Sequence, residues 1–147
     1  MKVELMLEVA LNEARVGFGE GGIPVGAALF AADGTALGRG HNRQVQEDDP
    51  SVHACTDAFR RAGRQHDYPS MTMVSTLSPC WYCAGLIRQY GIGHVVVGET
   101  RTYAGVHEWL SDAGVQVTLF NDERCADLMT RFIANRPDEW KLARGSL

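Results

Sequence analysis

The chain of 147 residues is long enough for one domain with a substantial core and too short for two ordinary ones. It is 45% hydrophobic and 22% charged, without low-complexity segments, which excludes a disordered or fibrous chain. A net charge of -4 argues against a general nucleic-acid binder, which needs a basic face, and no apolar run approaches the roughly 20 residues of a membrane span.

Val3, Met6, Leu7, Ala10, Leu11, Ala14 and Phe18 recur at helical spacing, so an amphipathic helix is expected over Val3–Val16, stopped by Gly17, Gly19, Gly21 and Gly22. This opening is not a basic-then-apolar leader, and the cytoplasm is the expected location. Val25–Ala31 reads as a strand, Asp33-Gly34 as a hairpin turn, and Thr35–Gly40 as the return strand, ending at His41-Asn42. Asp49-Pro50-Ser51 predicts a helix start, with His53, Ala54, Ala58, Phe59 and Ala62 on the helix and Gly63 closing it. Met71–Leu77 is an expected strand, Ser78-Pro79 caps a helix to about Tyr90, and His94–Gly98 is a short apolar strand. A short helix near Val106–Ala113, a strand over Val115–Phe120 and a helix over Asp122–Asn135 complete the pattern. Arg136-Pro137 ends that helix and leaves a tail holding Trp140. Strands alternating with helices predict a mainly parallel sheet covered on both faces, with an antiparallel hairpin at one side. We expect one α/β domain over residues 1–147, a three-layer α/β/α sandwich, with 136–147 as a C-terminal lid or tail.

The chemistry concentrates in Thr76-Leu77-Ser78-Pro79-Cys80-Trp81-Tyr82-Cys83 and in His53-Ala54-Cys55 upstream. Without a secretory context, a Cys-x-x-Cys pair reads as a metal-binding or redox pair rather than a structural disulfide. At a helix start, Cys80 and Cys83 share a face, and the dipole end favours thiolate over thiol. With His53 at another helix start, three ligands could meet on one tetrahedral ion. That leaves a fourth position open, as at a catalytic zinc, where bound water reaches a pKa of roughly 7. A redox pair or half of a structural zinc knot is the plainer reading of the cysteines alone. His41, His66, His94 and His107 lack such neighbours, and Cys125 reads as a core thiol.

On these residues the chain resembles the cytidine deaminase-like superfamily, and within it the fungal-type cytosine deaminases and their bacterial relatives. Further carriers are Glu20–Gly26, Gly38–Asn42, Asp57-Ala58-Phe59-Arg60, Gly63-Arg64, Tyr90-Gly91-Ile92, Val95–Glu99, Asp122–Cys125, and Arg136-Pro137 with Trp140. The resemblance implies a mixed five-stranded sheet between helices and a homodimer with one zinc ion (Zn2+) per subunit. It also implies hydrolytic loss of ammonia from a small heterocyclic substrate. It makes His53, Cys80 and Cys83 zinc ligands and Asn42 a hydrogen-bonding partner of a ring carbonyl. Ala54 and Ser78 then line the pocket, and Tyr103 and Trp140 wall it.

Two positions depart from the family. Cys55 stands where these enzymes place a glutamate two residues after the histidine, as the proton shuttle. Ala143 stands where an aspartate three residues after the tail tryptophan reads the substrate's amino group. Cys55 is open to four readings: an inactivated deaminase, a working thiol, a fourth zinc ligand, or a small buried residue. The fourth-ligand reading is disfavoured because residues i and i+2 do not share a helix face. With two departures in one pocket, the expectation is a zinc-dependent hydrolase performing deamination or a related reaction on a small nitrogen heterocycle. The alternative is a silent relative that binds without turnover. RNA editing, known among superfamily members, sits poorly with the acidic charge and short tail.

Overall fold

In the computed structural model, which describes residues 2–146, β1 (Gly26–Phe30) lies antiparallel to both β2 (Ala36–His41) and β3 (Thr72–Leu77). Strands β4 (His94–Glu99) and β5 (Gln116–Leu119) continue from β3 in parallel, giving one mixed five-stranded sheet in the order β2-β1-β3-β4-β5. Because side chains alternate along a strand, the sheet builds two cores. Ala27, Leu29, Met73, Val95 and Val97 face α3 (Ala54–Ala62) and α4 (Trp81–Tyr90), while Ala28, Phe30, Val74 and Val96 face α1 (Val3–Gly19) and Leu128 of α6 (Glu123–Asn135). Leu7, Leu11 and Phe30 are almost wholly buried, each worth about 1.5–3 kcal/mol of transfer free energy. The three-layer α/β/α sandwich is as expected. Among the described residues, no helix is long and apolar enough to cross a membrane.

Several boundaries differ from the sequence reading, each for a local reason. Helix α1 runs through Gly17 to Gly19 rather than stopping at Val16, because Gly17 lies against the His41 ring and the missing side chain lets the two elements close. Helix α3 starts at Ala54, not at Asp49-Pro50-Ser51: the Asp49 carboxylate accepts from Ser51 N (2.9 Å) and Ser51 Oγ (2.7 Å), closing a turn outside the helix. A one-turn helix, α2 (Gln44–Glu47), and a 3-10 turn (Tyr68–Ser70) were not foreseen, while the short helix expected near Val106–Ala113 is α5 (His107–Asp112). The cap of α4 is Cys80 itself, two residues beyond Ser78. Arg136-Pro137 ends α6 as expected, but Pro137 then opens a further helix, α7 (Pro137–Arg144), where a tail was expected. Proline is well suited to a first turn, whose N–H groups have no helical acceptor.

Two buried polar knots fix the end of β2, next to the site. His41 is 2% exposed, with Nδ1 2.9 Å from Glu13 and Nε2 2.8 Å from Glu20, which ties β2 to α1. Asp57 on α3 accepts from His41 N (3.1 Å), Arg43 Nε (3.0 Å), Arg60 Nη2 (2.8 Å) and Arg61 Nε (3.2 Å). Burial pushes its carboxyl up, but the hydrogen bonds from Arg43, Arg60, the His41 amide and Arg61 outweigh that and hold it below the ordinary range. Gly40 packs onto Asp57 and Ala58 so closely that a Cβ would have no room.

Candidate active site

Two helix starts face each other across the end of the sheet. His53 is the N-cap of α3, its N–H donating to Thr56 Oγ1 (3.0 Å); Cys80 is the N-cap of α4, and Cys83 follows in the first turn. The His53 Nδ1, Cys80 Sγ and Cys83 Sγ atoms lie within 4.8 Å of one another, and Nδ1 is 3.6 Å from each sulfur. A tetrahedral zinc with Zn–N of about 2.0–2.1 Å and Zn–S of about 2.3 Å sets nitrogen and sulfur about 3.6 Å apart. The donor set therefore fits zinc in both spacing and chemistry. Cys55, the second residue of α3, is not among the three converging donors, in keeping with its i+2 offset from His53.

The two cysteines are pushed in opposite directions. Cys80 is lowered to about 4, chiefly by the hydrogen bond from Cys83 and then by His53, against the opposing effect of burial. Cys83 is raised because it is hydrogen-bonded to Cys55 and Cys80 and is buried. The Cys55 thiol is thus a neighbour of Cys83. Cys125 lies elsewhere in the core, where burial pushes it up to about 12.

The donors open onto a cavity of about 320 Å³. All nine residues singled out from the sequence contribute to it or its floor: His53, Cys80, Cys83, Cys55, Asn42, Ala54, Ser78, Tyr103 and Trp140. Asn42 Oδ1 accepts from Gln44 N (3.0 Å), so its orientation is fixed and the amide NH2 remains the group that can donate. Ser78 Oγ donates to Ala104 O (2.7 Å). His107 Nδ1 lies 3.0 Å from that same carbonyl and 3.1 Å from Ser78 Oγ; a carbonyl only accepts, which places a hydrogen on Nδ1. These bonds fasten the loop carrying Tyr103, and Gly105, at φ +67°, lets it pass over Ser78. Tyr103 and Trp140 meet edge to face, with ring centroids 6.4 Å apart.

Sequence reasoning missed several contributors. Tyr82 packs edge-on against the His53 ring (4.8 Å between centroids) and donates to Ser51 O (3.1 Å), holding the imidazole from the side. Gln44 lines the cavity from α2, and Arg144, Gly145 and Ser146 line it from the end of α7. Only the Cys-x-x-Cys context pointed towards Tyr82, and nothing in the local pattern marked the others. Ala143 does reach the cavity, which supports the register used for the tail.

A family model for the cytidine and deoxycytidylate deaminase zinc-binding region matches residues 1–99. The chain belongs to this family. It is 40% identical to the cytosine deaminase of Candida albicans over 136 residues, covering 91% of each protein. Among solved structures, a tRNA:A34 deaminase studied for A-to-I editing at the wobble position superposes with a TM-score of 0.70 at 25% identity, over 85% of this chain and 99% of that one. The guanine deaminase from Nitrosomonas europaea shares the fold at a TM-score of 0.75 and 22% identity, over 89% of this chain and 84% of that one. The fold and the zinc-type donor group are therefore those of a deaminase family whose relatives are hydrolases acting on C–N bonds.

Proposed function

We propose that this deaminase-family chain is a zinc-dependent hydrolase acting on a small, planar nitrogen heterocycle, by hydrolytic deamination or a related displacement. The observation that carries it is the convergence of His53, Cys80 and Cys83 at the floor of a cavity also lined by Asn42, Tyr103 and Trp140. A zinc ion held by those three donors supplies Lewis-acid activation of water at neutral pH. The remaining work falls to side chains. The Asn42 amide donates to a ring carbonyl, while the Ala54 and Ser78 segments border the reacting edge. Tyr103 and Trp140 cover the ring and exclude bulk water. Deamination replaces a C–N bond with C–O, with one proton delivered to the ring nitrogen and another to the departing amine. Cys55 Sγ, in place of the usual carboxylate, is the side chain positioned to carry them.

A second reading has its own support. No aspartate or glutamate is among the described residues lining the cavity, and Ala143 and Arg144 occupy the lid end. This favours a relative that binds a ligand without turning it over. Ammonia release from cytosine and related aminated rings separates the two, using the zinc-loaded native chain, Cys55→Glu and Cys55→Ala. Native activity that Cys55→Ala abolishes supports the working thiol. Activity gained only in Cys55→Glu supports the silent relative.

The substrate is a free small molecule rather than RNA, in keeping with the net charge of -4 and with α7 lying beside the cavity as a lid. A gel shift with tRNA at low salt that gives tight binding would overturn this. We also infer a single cytoplasmic domain that pairs as a homodimer. Exposed Trp81 and Trp109, stacked edge to face at 5.2 Å, offer an aromatic surface for the pairing. Light scattering that returns a monomer mass at micromolar concentration would sink the dimer.

A further inference from the structure

A second cavity, of about 160 Å³, lies at the C-terminal end of β4, lined by Glu99, Arg101, Asn121, Asp122, Glu123 and Ala126. Glu99 is 2% exposed. Its Oε2 accepts from Thr102 N (2.8 Å), whereas Oε1 has no hydrogen-bond partner among the described residues. A buried carboxylate oxygen left in this condition is costly.

The neighbouring cations are already committed. Arg101 clasps Glu123 with both terminal nitrogens (3.3 and 3.0 Å). Arg124 divides itself between Asp122 (2.8 Å) and Glu8 (2.7 Å). Two guanidiniums thus face Glu123, Asp122 and Glu8, and the charge of Glu99 comes on top. The start of α6 adds a partial positive charge, but Asp122 caps it by accepting from Arg124 N (2.9 Å). The walls are well tied: Phe120 N donates to Val97 O (3.0 Å) and Asp122 N to Gly98 O (2.7 Å), with Asn121 turned between them at φ +53°.

We propose that this cavity is a binding site for a small monovalent cation, with Glu99 Oε1 as its charged ligand and the Asn121 side chain at its wall. A divalent ion is not the fit. Calcium takes about 6–8 oxygens with several carboxylates among them. Among the described residues, the sole group of three or more His, Cys, Asp or Glu donors close enough to share a metal is His53, Cys80 and Cys83. One unpaired carboxylate oxygen matches one positive charge. The ion braces the Tyr103 loop, since the carboxylate it neutralises also holds Thr102 N. The proposal does not depend on which reaction the main site performs.

The test is thermal unfolding of the full, zinc-loaded chain in NaCl, KCl and NH4Cl against choline chloride at equal ionic strength, choline being a cation whose methyl groups keep its charge from close contact with a carboxylate oxygen. We expect the unfolding temperature to rise by about 5–10 °C in at least one small-cation salt once it exceeds its Kd about a hundredfold. Glu99→Gln should be insensitive to the choice of cation. Equal unfolding temperatures in all four salts would mean that the cavity holds only water, and a full response retained in Glu99→Gln would place the ion elsewhere; either overturns the proposal. Should Glu99→Gln not fold, crystals of the native chain grown with thallous acetate decide it. An anomalous peak within bonding distance of the Glu99 carboxylate is expected, and its absence would refute the site.

Discussion

The two ends of the main cavity are built differently. The floor comes from the first turns of α3 and α4, where backbone geometry, helix polarity and buried knots at Asp57 and His41 leave little freedom. The other end comes from the Tyr103 loop and the last helix, which touch edge to face at Tyr103 and Trp140, and that helix carries Leu142 at 80% accessibility. The floor is thus suited to holding a metal in a fixed position, and on the proposed function the Tyr103 loop and α7 form the lid that would cover the ring. Within a shared family, the floor should set the chemistry and the lid the choice of substrate.

The largest expected effect tests the floor. His53→Ala should lose its zinc by elemental analysis and lower any turnover by at least about 10³-fold; zinc retained at one ion per chain would break the contrast. Next comes the knot beneath it. Asp57→Asn should cost about 2–4 kcal/mol in urea unfolding at pH 7, because several arginine and amide donors lose a buried anionic acceptor. The sign with pH follows from the lowered carboxyl. Its contribution is complete above the unfolded-state value of about 4 and fades as pH falls through the lower folded value, so native and variant should converge in acid. A gap that widened on acidification would contradict this account.

Smaller effects are expected towards the lid. Asn42→Ala should raise KM for the proposed ring substrate about 10-fold with zinc unchanged, the size of one hydrogen bond. A fall in kcat alone would move Asn42 from binding to the chemical step. Trp140→Ala should lower kcat/KM about 5-fold through lost aromatic cover, with the unfolding temperature nearly unchanged. If Trp140→Ala unfolded the chain or stripped its zinc, the lid would be part of the rigid floor after all.

Much of this was legible in advance because it is written in short-range pattern. The spacing of Val3 to Phe18, the alternation around Met73 and the Ser78-Pro79-Cys80 start report local conformation, and strands alternating with helices give the layered class of the sheet, whereas the order β2-β1-β3-β4-β5 is a result of the tertiary structure. The misplaced start of α3 has a physical cause. Asp49 has the chemistry of a helix cap, but a nearby serine captured its carboxylate, and sequence alone does not decide between two competing local hydrogen bonds. The tail helix was missed because Pro137 serves equally as a stop for one helix and a start for the next.

The residue types and their order along the chain were sufficient to determine the metal-type donor set, the layered architecture, and the replacement of an expected carboxylate by Cys55. The first two rest on covalent spacing and on the pattern of helices and strands, and the third on the resemblance to the deaminase family, which is itself carried by short motifs. Tertiary structure alone decided that Tyr82 braces His53, that α7 brings Arg144 to the cavity, and that Glu99 is buried with one oxygen unpaired. Those relations join segments far apart in the chain, and they exist only after the two cores have closed on the sheet and fixed which surfaces meet.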